Sequence, residues 1–179
     1  MESWWEKSGV SLKLEPKTFE TLKSYSEEQG LSLETLINNI LHDYVAWSLS
    51  ASEAGWVPMQ RPLLIALANA IDDETICKIA SGMAKTTAKD FLLYMHGEYS
   101  AKELIEFLKA RAKVAGFPYK LLKQNGHTKF IMQHDMGMKW SLIFKSFYEK
   151  VLEDLTCDVT FDLTDNTFVF KINDQCVKP

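Results

Sequence analysis

The chain has 179 residues, of which 46% are hydrophobic and 25% are charged, and its formal net charge is −4. This length allows one large domain or two small ones, and the composition excludes a disordered, collagen-like or low-complexity chain. No apolar run approaches the about 18 residues of a membrane-spanning helix, and the N-terminus does not resemble a signal peptide. Cys77, Cys157 and Cys176 are far apart in the sequence, so we expect free thiols and a cytoplasmic protein.

Charge is distributed unevenly along the chain. Residues 1–50 carry 4 basic and 8 acidic side chains, residues 97–150 carry 10 and 5, and residues 151–179 carry 2 and 6. The negative total therefore conceals an acidic start, a basic middle and an acidic end. The basic middle is a candidate surface for nucleic acid, but most of its lysines alternate with apolar positions, which is typical of an ordinary solvated surface.

The first 50 residues predict one strand followed by two helices. Residues 10–15 alternate apolar and polar side chains, which is the period of a half-buried strand. Pro16 ends this strand and opens a helix, Gly30 follows the helix, and Ser32 is an N-cap for the second helix. A lone strand has no partner for its backbone groups. We therefore expect a homodimer in which residues 10–15 of two copies pair antiparallel.

Periodicity is lost after residue 50, where Ser, Gly and Pro become frequent. We expect a first module at residues 1–50, a linker at 51–61 and a second domain at 62–179. Four helices are predicted within residues 62–116: Pro62 to Ile71, Asp73 to about Met83, Thr87 to His96, and a last helix that Ser100 caps and Gly116 follows.

The remainder of the chain predicts two hairpins separated by a helix. The Asn125-Gly126 turn between residues 119–124 and 127–134 is a strong hairpin signal and sets Leu121 opposite Phe130. Asp135 is the expected cap of a long helix, and a second hairpin spans residues 159–172. The order ββαββ behind a helical segment predicts an antiparallel sheet covered by helices, which is an α+β fold.

Residues 10–45 carry a pattern that resembles the ribbon-helix-helix family of DNA-binding proteins, which includes the Arc and methionine repressors. The matching positions are Leu12-Lys13-Leu14-Glu15-Pro16, then Phe19 and Leu22, then the turn from Glu27 to Ser32, and finally Leu36, Ile37, Ile40 and Leu41. This resemblance implies an intertwined dimer whose paired strands form a ribbon in the DNA major groove. It implies that Gly9, Ser11 and Lys13 face the bases, and that the helix start at Ser32 and Leu33 meets a phosphate.

The second domain contains aromatic residues that are candidates for a ligand pocket. Strand alternation places His134 on the same face as Phe130, so we expect a buried, hydrogen-bonded histidine there. Together with Trp140 and Phe144, these residues form a candidate pocket for a small apolar ligand, with plain core packing as the alternative. The four histidines lack a metal-ligand spacing, so no metal is expected. Trp4, Trp5 and Trp56 are interpreted as contacts with the partner chain or between domains.

These observations favour a dimeric DNA-binding transcriptional regulator with a C-terminal ligand-sensing or assembly domain. The alternative is a dimeric scaffold whose first module only dimerises and whose second domain binds a protein partner. The acidic first module, with Leu33 where the family often has a basic residue, keeps this alternative open. No enzyme motif is present, so we expect a non-enzyme without a cofactor. A small enzyme built around His134 and Asp135 is a third hypothesis.

Overall fold

The computed structural model describes residues 9–177, and they divide into two compact units, one ending at His42 and the other beginning at Asp43. The first unit contains helix α1, Pro16–Glu28, and nearly all of helix α2, Leu33–Asp43. Pro16 opens α1 as expected, and the Oγ of Ser32 accepts a hydrogen bond from the Thr35 N–H at 3.0 Å at the start of α2. Trp4 and Trp5 lie outside the described residues.

Residues 9–15 form neither helix nor strand in the single chain. No segment within the described residues pairs with them, so the predicted strand at 10–15 is not formed by one copy alone. The hydrogen bonds of a strand require a neighbouring strand, which a second copy of the chain would supply. Pairing with a second copy therefore stays a prediction.

The second unit follows in a regular order of helices and strands. Its helical part begins with a π-helical turn (Tyr44–Ser48). Four helices follow: α3 (Leu49–Ala51), α4 (Arg61–Asn69), α5 (Asp73–His96) and α6 (Ala101–Val114). Its second half begins with strands β1 (Tyr119–Gln124) and β2 (His127–Gln133), followed by helix α7 (Met138–Asp154). Strands β3 (Val159–Leu163) and β4 (Thr167–Asn173) come next, and a short 3₁₀ turn (Asp174–Val177) ends the unit.

The residues expected to form a linker are packed into the second unit. Trp47 and Ala51 are buried, and the ring of Trp56 lies 5.3 Å from that of Trp47 and 5.9 Å from that of Phe107. The second unit therefore starts near Asp43 rather than at residue 62. Trp47 lies in the π-helical turn and Trp56 lies in the irregular segment after α3, so no helical or strand period relates the two tryptophans.

Helix α5 runs without a break from Asp73 to His96, so the expectation of two helices separated near residues 84–86 is wrong. Ala80, Ala84 and Ala88 recur every four residues and are all buried, which continues one packing stripe through the expected break. The hydroxyl of Thr87 donates to the Met83 carbonyl at 2.7 Å. The two β-branched residues at this position, Thr86 and Thr87, thus fit within the helix. Helix α5 packs along α7.

The four strands form one antiparallel sheet in the order β1-β2-β4-β3. The register sets Leu121 opposite Phe130 and Tyr119 opposite Met132, as predicted from the Asn125-Gly126 turn. Alternate residues of β2 and β4 are buried on one face, and α7 covers that face. Helices together with one antiparallel sheet confirm the α+β expectation. No helix within residues 9–177 is long and apolar enough to cross a membrane.

Asp135 does not cap α7, which corrects the sequence expectation. The helix begins at Met138 after Gly137, and Asp135 has a φ of 52°, where it lies in the bend after β2. Its carboxylate accepts hydrogen bonds from the Gln133 side-chain amide at 3.1 and 3.3 Å. Met136 and Gly137 stand between Asp135 and the first helical residue, so the acidic residue that suits a cap lies too early in the chain.

Candidate functional site

The first unit has an open groove lined by its N-terminal segment and its two helices, which we call the N-terminal groove. Its volume is about 940 Å³, and Val10, Leu12 and Leu14 line it together with Phe19 of α1 and Ile37 of α2. Ser11 and Lys13 are not among the lining residues. The apolar and polar positions of residues 10–14 therefore alternate between the groove and its outside, as the predicted strand period requires.

Few side chains of the first unit are buried in the single chain. Among residues 9–42, only Ser26 and Leu36 are buried. Val10 is 80% exposed and Leu12 is 53% exposed, and several apolar residues of the helices are also exposed. In the single chain, the first unit therefore leaves most of its apolar side chains at least partly exposed.

The residues predicted to contact DNA occupy two places in this unit, and all of them are exposed except Leu33, which is half-buried. Gly9, Ser11 and Lys13 lie in the extended segment before α1, and Ser32 and Leu33 lie at the start of α2. Ser32 accepts the Thr35 N–H through its hydroxyl, and its carbonyl accepts the Leu36 N–H. Within the described residues, the backbone N–H groups of Leu33 and Glu34 have no such partner. Leu33 and Gly9 line the N-terminal groove, so Gly9 lies on the groove side of the segment and not on the outer side with Ser11 and Lys13, where the resemblance implies it.

Most of the basic residues in the middle of the chain are neutralised by neighbouring carboxylates. Six of the ten basic residues at 97–150 form ion pairs: Lys102, Lys109, Lys113, Lys139, Lys145 and Lys150. Pairs such as Lys109 with Glu106 at 2.8 Å are local and partly exposed, and pairs of this kind contribute about 0–1 kcal/mol. This arrangement favours an ordinary solvated surface over a nucleic-acid patch in this region.

His134 is fully buried, as the strand alternation predicted. Its Nδ1 accepts a hydrogen bond from the Met136 N–H at 3.1 Å, and its Nε2 lies 2.8 Å from the Ser141 hydroxyl, which donates to the Thr164 carbonyl at 2.6 Å. Burial lowers the pKa of this imidazole to about 4 from its ordinary value of 6.5, against the opposing charge of Asp135. The neutral histidine thus joins β2, α7 and the β3–β4 turn.

The other residues of the predicted aromatic pocket divide between the core and a cavity. Phe130 is fully buried and Phe144 is 2% exposed, and the His134 and Phe144 rings pack edge to face with their centroids 5.3 Å apart. These three residues are core residues. Trp140 alone of the four lines a separate cavity of about 490 Å³, which we call the aromatic cavity.

The aromatic cavity lies between α4, α5 and α7 and is closed on one side by residues 54–56 and by α6. Its wall is apolar apart from a few groups, of which Arg111 of α6 is the charged one. Arg111 was not among the residues predicted to form a site. A signal was present, because Arg111 follows Leu104, Phe107 and Leu108 at the spacing of an apolar helix stripe, where a charge is unexpected.

No group of three or more metal-ligating side chains occurs within residues 9–177, and the three cysteines are free thiols. No protein-family model matches the chain, and a search of curated proteins finds no significant match.

Proposed function

We propose that the protein is a homodimeric DNA-binding regulator in which two copies of the first unit pair through residues 10–15, and in which the second unit serves sensing or assembly. The observation that carries this proposal is the N-terminal groove. Val10, Leu12 and Leu14 turn to one groove, which polar residues of α2 such as Asn38 also line, while Ser11 and Lys13 do not line it. Such two-sidedness is what a paired ribbon over a helical core requires.

Dimerisation is supported by the amount of apolar surface that one copy leaves exposed. Val10, Leu12 and Leu14 are 80%, 53% and 36% exposed. Full burial of an exposed Val or Leu side chain contributes about 1.5–3 kcal/mol, so covering the exposed fractions of these six side chains in a dimer contributes about 5–10 kcal/mol. Antiparallel pairing also supplies partners for the backbone groups of residues 10–14, which form no backbone hydrogen bonds within residues 9–177.

DNA binding follows from the face of the ribbon opposite the groove. In a paired ribbon, Ser11 and Lys13 of both copies share that face, and a two-stranded ribbon fits the major groove. The N–H groups of Leu33 and Glu34 at the start of α2 suit a phosphate contact that positions the dimer. The Glu34 carboxylate opposes that contact, so we expect weak affinity that falls steeply with salt.

The dimer is tested by light scattering of the full chain after size exclusion. The natural sequence is expected to be a dimer at micromolar concentration, and Leu12→Asp is expected to be a monomer because it places a charge in the groove. Ser11→Asp is the matched control, since it adds the same charge to the neighbouring residue outside the groove and should leave the dimer intact. Equal masses for the two variants would refute pairing through this segment.

DNA binding is tested by selection of fragments from a random duplex pool at low salt, followed by titration of a selected duplex at several salt concentrations. Lys13→Ala should weaken binding of the selected duplex by about 1–3 kcal/mol and relax its sequence preference, because the ribbon places Lys13 against the bases. Lys17→Ala, on α1, serves as the control. A stable dimer that retains no duplex would refute the DNA-binding proposal and favour the scaffold function, for which the acidic charge of residues 1–50 is the supporting observation.

A further inference from the structure

The aromatic cavity is open to solvent and has the size of a small-molecule site. Its volume is about 490 Å³, within the range of about 300–1,000 Å³ that is usual for ligand pockets. Ile76 and Ala80 of α5 are buried parts of its wall, whereas Leu67, Ile79 and Met83 line it and are each about half exposed. A molecule can therefore enter between α4 and α5 while the buried wall remains in place.

Arg111 places a positive charge in this wall without an acidic partner. No carboxylate within the described residues forms an ion pair with its guanidinium. The group lies over the Trp56 ring at 5.0 Å and over the Phe144 ring at 5.3 Å, and it donates to the Tyr148 hydroxyl at 2.8 Å. Burial raises the pKa of Tyr148, so its phenol is neutral and does not balance the charge. Since guanidinium has five N–H donors, several remain for another acceptor.

A second donor in the same wall also lacks an acceptor. The indole Nε1 of Trp140 is buried and has no hydrogen-bond partner among the described residues. Trp140 packs on the ring of Phe144 with centroids 5.7 Å apart, and Arg111 lies over that same ring. Because this nitrogen is buried from solvent, the polar group that the cavity offers to a ligand is the guanidinium of Arg111, and Trp140 contributes apolar ring surface to the wall.

We propose that the aromatic cavity binds a small apolar molecule that carries one carboxylate, with Arg111 binding the carboxylate and the aromatic and aliphatic wall covering the apolar part. The charge of the wall and its unpartnered donors select an acceptor with negative charge, and the remaining lining excludes a strongly polar molecule. Arg111 suits this role because its planar donors match a carboxylate. The cavity lies wholly within the second unit, so this binding does not depend on dimerisation or on DNA.

The proposal is tested by calorimetric titration of the full chain with decanoate and, as its uncharged counterpart, 1-decanol. Decanoate should bind once per chain and at least about tenfold more tightly than decanol, because hydrogen bonds to a charged group change affinity by about 10–100-fold. Arg111→Met should remove this preference and leave decanol affinity unchanged. Lys109→Met, which removes a charge from the same helix outside the cavity, should leave both affinities unchanged.

Arg111 also packs against the rings of Trp56 and Phe144 and donates to the Tyr148 hydroxyl, so its variant can lose the fold. Two further measurements therefore use chains in which Arg111 is intact. Met83→Trp should obstruct the half-exposed mouth and weaken decanoate at least about tenfold, whereas Thr86→Trp, on the exposed side of α5, should not. The indole N–H resonance of Trp140, assigned with Trp140→Phe, should shift on titration with decanoate. Absence of decanoate binding to the folded natural chain, equal affinity for decanol, or an unmoved Trp140 resonance would overturn the proposal.

Discussion

Stability should fall between pH 7.5 and pH 5 because of one buried histidine, and His134→Gln should remove that part of the fall. The Nδ1 of His134 accepts the Met136 N–H, so the ring proton of the neutral form is on Nε2, where Ser141 accepts it. Protonation of Nδ1 would break the bond to Met136 and place a charge in the core. The fold therefore holds the neutral imidazole.

The magnitude follows from the two pKa values of His134. Its pKa is about 4 in the folded chain, lowered by burial, against an ordinary value of 6.5. The unfolded chain therefore binds more protons between these values, and stability is fully present above about pH 7 and is lost as the pH falls toward 4. From pH 7.5 to pH 5, the expected loss in unfolding free energy is about 2 kcal/mol.

Urea unfolding at both pH values, followed by circular dichroism, measures this loss in the natural chain and in His134→Gln. The variant is expected to be less stable at pH 7.5, because it disturbs the bonds to Met136 and Ser141, but its loss on acidification should be smaller by about 2 kcal/mol. His127→Gln, at the start of β2, is the control for a histidine outside the core. An equal pH dependence for His134→Gln and the natural chain would refute the assignment.

Two matched pairs of substitutions test the packing and backbone of α5. Leu92 is fully buried and Leu93 is 42% exposed, so Leu92→Ala should cost about 2–5 kcal/mol and Leu93→Ala less than about 1 kcal/mol, as measured by urea unfolding; similar costs would contradict the burial of Leu92. Gly82 lies within α5 with open space around its Cα, so Gly82→Ala should stabilise by about 0.5–1 kcal/mol. Gly97 follows α5 with a φ of 76°, a left-handed conformation that strains any residue with a Cβ. Gly97→Ala should therefore lower the thermal midpoint, and a higher midpoint for this variant would refute the backbone strain.

Elements with a strong local pattern could be predicted from the sequence. The hairpin register at Leu121 and Phe130 follows from the Asn125-Gly126 turn, and helix α6 follows from its Ser100 cap, whose Oγ accepts the Glu103 N–H at 3.3 Å. The buried position of His134 follows from strand alternation. In each case, the determining residues lie within about ten positions of one another, so backbone geometry alone relates the pattern to the structure.

Predictions at element boundaries were weaker, because competing local signals decide them. Asp135 is a good cap by residue type, yet Gly137 adopts a φ of 85° immediately before α7 and the helix starts after it. Residues 84–86 lie in a region of mixed helix preference, yet α5 continues there because Ala84 packs in the core. Tertiary packing supplies more free energy to a helix than propensity does.

The candidate sites divide in the same way. The alternation of residues 10–15 and the likeness to the ribbon-helix-helix pattern are properties of the sequence, and they predict the two sides of the segment that the N-terminal groove displays. By contrast, the aromatic cavity is formed by α4, α5, α6 and α7 with residues 54–56, which are far apart in the chain. Of its polar groups, Trp140 was selected from the sequence and Arg111 was not.

The sequence by itself therefore determined the order of most helices and strands, the α+β class, the inward face of the sheet and the two-sided character of residues 10–15. These properties depend on periods of two or of three to four residues and on turn chemistry, which neighbouring residues encode. Only the tertiary structure decided that Trp56 belongs to the second core, that α5 is continuous and that Arg111 faces a cavity without a carboxylate. Such properties depend on which distant surfaces meet, and burial, charge pairing and empty volume have no local pattern in the chain.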